Sequence, residues 1–293
     1  MRLNAEKIVN IIFYLTIAVV GCLAALYGGR IFIADQFIIP TESMEPTLIP
    51  GDRVLVNKLI AGARIYTDFD FDPNGQDLKA VRLKGIRKLR HNDIAVFNYP
   101  INGKRIAFKI NYVYCKRIAA LPGDTLMIKD GFYRINNYPG TIGIAEEQEK
   151  LAAETGHAPD ELGWKMQHLA LGWTIQNGGP WYIPRKGDII DIGYKEALLY
   201  GRLLEYETGK RMEINDSTHT ALLDGKPIGK HRFKHDYYFM AGDNVCNSRD
   251  SRYWGLVPEE YIVGVVDRIS YSRDRRTDKL RPERAWRELG FRF

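Results

Sequence analysis

A charge-free apolar run, residues 8–27, constrains this chain more than any other feature. It contains Ile11-Ile12-Phe13-Tyr14-Leu15, Ala18-Val19-Val20 and Leu23-Ala24-Ala25-Leu26. A helix rises about 1.5 Å per residue, so the run covers the roughly 30 Å hydrocarbon core of a bilayer once. Arg2 and Lys7 precede it, which by the positive-inside tendency holds the N-terminus in the cytoplasm and sends the rest across. A cleaved secretory signal competes, because Leu23-Ala24-Ala25 resembles a processing site. The anchor is preferred: the run is long for such a signal, and it resumes in Ile31-Phe32-Ile33. No second run of this length follows.

The 293 residues hold ample material for a buried core, and no stretch is biased enough to read as low-complexity or repeated. The net charge of +6 is modest and gathers in the last residues, which speaks against a nucleic-acid surface. Cys22, Cys115 and Cys246 match no zinc spacing, and a Cys115–Cys246 disulfide stays open. His157, His168, His219, His231 and His235 have no metal-ligand spacing and read as surface or structural residues. No cofactor or metal is expected.

Beyond the apolar run the pattern becomes strand-like. Strands are expected at 53–57 after Pro50-Gly51-Asp52, at 93–99, and at 105–119, with a hairpin of 125–129 and 132–136 around Asp130-Gly131. Residues 60–90 read as a long excursion with little core. Helices are expected at 146–154 and 195–207, with a hairpin turn at 223–226. Strands return at 235–240 and 261–270. The fold class is therefore mainly β. An N-terminal anchor (1–30) precedes a β core in two parts (31–139 and 236–272), an inserted α+β region (140–235) separates them, and a basic tail (273–293) closes the chain. That tail, with Trp286, Phe291 and Phe293, reads equally as a weak membrane-surface contact or a solvated end.

Two residues carry candidate chemistry. Ser43 stands between Phe37-Ile38-Ile39 and the turn-forming Pro46, just past the span, where a hydroxyl does little for folding. A serine needs a base before it can attack a carbonyl, and no histidine sits in a suitable motif. A lysine serves if burial neutralises it. Alternation through 105–119 puts Lys116 on the face of Ile106, Phe108, Ile110, Tyr112, Tyr114 and Ile118. Alternatively Lys116 snorkels past them to solvent, and alternation alone leaves that open. The polar run 242–255 follows a buried-looking strand, so its groups must bond one another.

Pro40-Thr41-x-Ser43-Met44-x-Pro46-Thr47, Lys116-Arg117-x-x-x-Leu121-Pro122-Gly123-Asp124 and Gly242-Asp243-Asn244-x-x-Asn247-Ser248-x-Asp250-Ser251-Arg252-x-x-Gly255, in that order after an anchor, resemble the bacterial type I signal peptidase family. The resemblance implies a membrane-bound serine endopeptidase on a signal-peptidase-like β core. In it Ser43 is nucleophile, Lys116 is general base, and the Ser43 N–H with the Thr41 hydroxyl forms the oxyanion hole. Ser248 would hydrogen-bond and orient Lys116, and Asp250 with Arg252 would hold that loop. Phe37, Ile39, Pro40 and Tyr114 would line pockets for small side chains, fitting signal peptides that end in Ala-x-Ala-like sites. The implied setting is the bacterial inner membrane with the catalytic part outside, the partners being preprotein signal peptides and lipid, with the secretion translocon left open. Glu42, Ala120 and Val245-Cys246 depart from the family's usual residues and leave the pocket's shape open. Other readings are a Ser/Lys processing protease for conjugation or pilus proteins, a self-cleaving repressor (which the anchor disfavours), and an inactive membrane-tethered scaffold.

Overall fold

The computed structural model describes residues 5–154 and 171–289. Arg2, His157, His168, Phe291 and Phe293, each singled out above, lie outside the described residues. The apolar run forms helix α1, Ala5–Phe32, whose apolar side chains are exposed all round, as for a helix solvated by lipid. It reaches five residues beyond the expected end, taking in Ile31 and Phe32. Arg30 occupies its last turn, and Lys58 Nζ donates to the Arg30 carbonyl at 2.6 Å, so cationic groups meet the helix's negative end.

Behind α1 the chain builds a seven-stranded antiparallel sheet. Its strands are β1 (Ala34–Ile38), β2 (Asp52–Asn57), β3 (Ile94–Asn98), β4 (Val113–Ala120), β5 (Tyr237–Ala241), β6 (Val257–Pro258) and β7 (Ile262–Ser272). They lie in the order β1-β2-β7-β3-β4-β5-β6. β2 alternates buried and half-buried residues, whereas β3 and β5 are buried throughout, matching the apolar runs Ile94-Ala95-Val96-Phe97 and Tyr237-Tyr238-Phe239-Met240-Ala241. The chain is thus mainly β, as its pattern implied.

The expected strand at 105–119 is two pieces. Arg105–Ile106 pairs with Ile101–Asn102, and only Val113–Ala120 joins the main sheet. Between them the Phe108 backbone exchanges hydrogen bonds with Gln76 at 2.7 and 3.1 Å, which draws 107–112 off the ladder. Phe108 is buried there, while Tyr112 is 46% exposed. Alternation still holds within β4, where Lys116 and Ile118 face inward.

The hairpin Thr125–Lys129 and Phe132–Ile135 gains a third strand, Gly178–Tyr182, from the segment 140–235. Helices Ala145–Ala153 and Tyr194–Thr208 form where local propensity placed them, and Thr220–Leu223 turns back onto Lys226–Pro227. Leu203, Leu204, Trp181 and Phe233 of this region share one apolar core with Phe239, Tyr237 and Ile262 of the main sheet. A second, smaller core lies under the segment carrying Ser43.

Candidate active site

Ser43 sits in a short 3-10 turn, Glu42–Met44, between β1 and β2. The side chains on either side of its loop hold it down: Met44 and Leu48 are buried among Val54, Val56, Val96 and Ile269. Each such side chain contributes roughly 1.5–3 kcal/mol on burial, enough to fix a short loop. Asn244 clasps the same segment, its N–H on the Ser43 carbonyl at 3.2 Å and its amide nitrogen on the Glu42 carbonyl at 3.3 Å.

Lys116 comes from β4, beyond β7 and β3 in the same sheet, and is 3% exposed. Its Nζ donates to Ser43 Oγ, and Thr41 Oγ1 lies 3.3 Å from that oxygen. Burial pulls the Lys116 amine down to about 8, opposed by attraction from Asp250, Cys115 and Asp243. The snorkelling alternative is not what the chain does.

The polar run after β5 is bonded within itself. Asp250 caps the turn Ser251–Trp254 and accepts from Gly242 N at 3.0 Å and from Arg252 Nε and Nη2 at 2.8 and 2.9 Å. Arg252, 1% exposed, reaches the Val245 carbonyl at 2.8 Å. Removing one member of so buried a pair costs about 3–5 kcal/mol. Ser248 is fully buried, yet among the described residues its hydroxyl has no hydrogen-bond partner, so the bond to Lys116 expected above is not made. The amine is turned to Ser43 instead, and the Ser248 hydroxyl fills the space beside Gly242.

Gly242 shows how tightly the loops interlock. A Cβ there would stand 2.0 Å from Ser248 Oγ and 2.5 Å from the Ser43 carbonyl oxygen. Gly242→Ala should therefore displace Ser43, lowering kcat about 100-fold for a shift near 1 Å. Overpacking should also cost about 1–3 kcal/mol, read as a lower Tm. Unchanged kcat would show that the two loops are not coupled here.

Ser43, Lys116 and Thr41 open into a cleft of about 1170 Å³, lined also by Ile39, Pro40 and Tyr114. That is room for an extended peptide rather than one small molecule. Tyr114 is held by stacking on Tyr99, ring centroids 4.6 Å apart. Phe37, expected in this lining, is absent from it: opposite Val54 in the β1–β2 register, it packs against the smaller core. Arg249 and the tail residues Arg275 and Arg276 line the cleft without having been singled out, and Tyr112, expected on the face of Lys116, lines it too. Also unanticipated is the Arg117–Asp243 pair, with both contacts at 2.6 Å, tying β4 to the polar loop. Both residues stand in the quoted motifs, and that adjacency was the available signal.

Cys115 and Cys246 are free thiols. Among the described residues no cluster of histidine, cysteine and carboxylate groups has the makings of a metal site; His231 and His235 pair with Glu207 and Glu260.

A serine hydroxyl bonded to a buried amine, on an antiparallel core behind one apolar helix, is the layout of a membrane-anchored serine peptidase. The family model described as "Signal peptidase, peptidase S26" matches residues 11–271, and the chain belongs to that family. Signal peptidase I of Buchnera aphidicola subsp. Baizongia pistaciae is 30% identical over 248 residues, covering 81% of this chain and 69% of that protein. Signal peptidase I of Helicobacter pylori J99 is 30% identical over 244 residues, 80% of this chain and 73% of the other. A crystal structure of a signal peptidase I from Enterococcus faecalis covers 62% of this chain and 98% of its own, with 19% identity and a TM-score of 0.29, too loose an overlap to carry weight. The protein is thus a serine peptidase, and among the described residues one helix, at its N-terminus, is long and apolar enough to anchor it in a membrane.

Proposed function

We propose that this enzyme removes N-terminal signal peptides from preproteins with Ser43 as nucleophile and Lys116 as general base. The observation that carries the reading is the Lys116 Nζ bond to Ser43 Oγ inside a buried site. The neutral amine takes the Ser43 proton as Oγ bonds to the scissile carbonyl carbon. The oxyanion is met by the Ser43 N–H, in a first turn where backbone donors lack helical acceptors, and by the Thr41 hydroxyl. One such donor is worth about 2.7–4 kcal/mol in a comparable site. As the tetrahedral species collapses, the C–N bond breaks and the Lys116 ammonium returns its proton to the leaving amine. Water then adds to the acyl-serine by the same proton route, releasing the signal peptide's new carboxylate and restoring Ser43.

Asp250 and Arg252 act by holding together the polar loop whose Asp250 attracts the Lys116 amine. Ile39, Pro40 and Tyr114 give the cleft apolar walls that suit small side chains at an Ala-x-Ala-like site. Arg2 and Lys7, ahead of the apolar run, support a cytoplasmic N-terminus and a catalytic part on the outer side of a bacterial inner membrane. Sharing a bilayer with a membrane-held precursor raises the effective concentration of each for the other.

Detergent-solubilised protein incubated with a secretory precursor should release a product whose mass places the cut after a small residue. An intact precursor, or a cut after a bulky residue, would rule this reading out.

A further inference from the structure

The basic tail lies folded over the loop that carries Ser43. Asp274 closes a turn by accepting the backbone N–H groups of Arg276 and Thr277, each at 2.9 Å, and Arg281 Nη2 at 2.5 Å. These bonds hold its carboxyl well below the usual carboxylate range. Arg281 also donates to the Pro50 carbonyl at 3.0 Å. Arg284 grips the fully buried Asp52 at 2.6 and 2.9 Å and reaches the Thr47 carbonyl at 3.0 Å. Gly51, at φ 96, takes Arg273 so close that a Cβ would stand 1.9 Å from its carbonyl oxygen. The turn is thus pinned from both sides.

Its Arg275 and Arg276 line the cleft, as do Arg281, held by Asp274, and Arg249 of the polar loop. Arg275 Nη1 caps the Pro40 carbonyl at 2.8 Å, and the Arg276 side chain makes no hydrogen bond or ion pair among the described residues. Asp274, the acid beside them, is already engaged by Arg281. Glu42 and Glu45 also line the cleft, but on the nucleophile's own segment.

We propose that Arg275 and Arg276 form a cationic rim that reads substrate charge beside the scissile bond, favouring an acidic and disfavouring a basic second residue before it. The inference rests on the Ser43/Lys116 reading. Pro40 is three residues from Ser43, a span of at most about 10 Å, so the rim meets substrate only within a few residues of the cut. An extended peptide turns alternate side chains to opposite sides. With the first and third residues before the bond against the apolar walls, the second faces outward to the arginines. A lipid phosphate is a weaker fit, because both guanidiniums line the same cleft as Ser43.

The test uses detergent-solubilised full-length protein and three peptides differing only in Glu, Gln or Lys at that second position. Wild-type kcat/KM should be about tenfold higher for the Glu than the Lys peptide, the scale of exposed charge pairs reversed in sign. The ratio should approach one in Arg275→Gln/Arg276→Gln, and also at about 1 M salt, where the screening length is near 3 Å. Because the ratio is taken within one variant, loss of folded protein cancels. A wild-type ratio of one, or a ratio the substitutions leave unchanged, overturns the rim. So does an effect confined to cleavage in vesicles with anionic lipid, which assigns the arginines to headgroups. If wild type cuts not even the Gln peptide, the peptidase reading beneath the rim falls with it.

Discussion

Ser43→Ala should lower kcat by about 10⁶-fold, the scale on which removal of a serine nucleophile acts in a comparable site. The substitution deletes one oxygen from a half-buried position and leaves Met44 and Leu48, which anchor the loop, untouched. The fold and membrane attachment should therefore survive, and so should the Ser43 backbone N–H and the Thr41 hydroxyl. Precursor binding should persist while acyl transfer stops. The measurement is single-turnover cleavage alongside precursor retention by immobilised protein. Cleavage within tenfold of wild type would show that another oxygen attacks, and the whole arrangement around Lys116 would need a different purpose.

How much of this was legible beforehand differs from element to element. Lys116 could be placed on a buried face because side-chain alternation is local, and it held within Val113–Ala120. Where that strand began could not be read, because the break comes from Phe108 pairing with the distant Gln76. The helices Ala145–Ala153 and Tyr194–Thr208 answer to propensity within their own residues. The tail does not: its course is set by Arg284 finding the buried Asp52, some 230 residues earlier, and composition alone left two readings of it open. At the site, the motif spacing brought Ser43, Lys116 and the polar loop together. The absent Ser248 bond and the sequestered Phe37 depend on which side chain fills which gap, a matter of packing.

Lys116→Met should abolish cleavage and stabilise the fold together, a combination that a purely structural lysine does not produce. Burial lowers the amine from 10.5 to about 8, so at neutral pH the folded protein carries an ammonium it would rather discharge. At about 1.4 kcal/mol per pH unit that penalty is roughly 3 kcal/mol. The sign follows from the lowered value: the penalty is full below about 8 and fades as pH climbs to 10.5, because the unfolded chain then holds more of the proton. Methionine fills similar volume without charge, so Tm at neutral pH should rise by several degrees, with the gain shrinking in alkaline buffer. The wild-type rate should obey the same titration. Below about 8 only the neutral fraction of Lys116 can take the Ser43 proton, so kcat/KM should grow about tenfold per pH unit and level off above that value. A flat profile from neutral to alkaline pH, or a methionine variant less stable than wild type throughout, would mean that the amine is charged and paired in the working enzyme and that Ser43 takes its base from elsewhere.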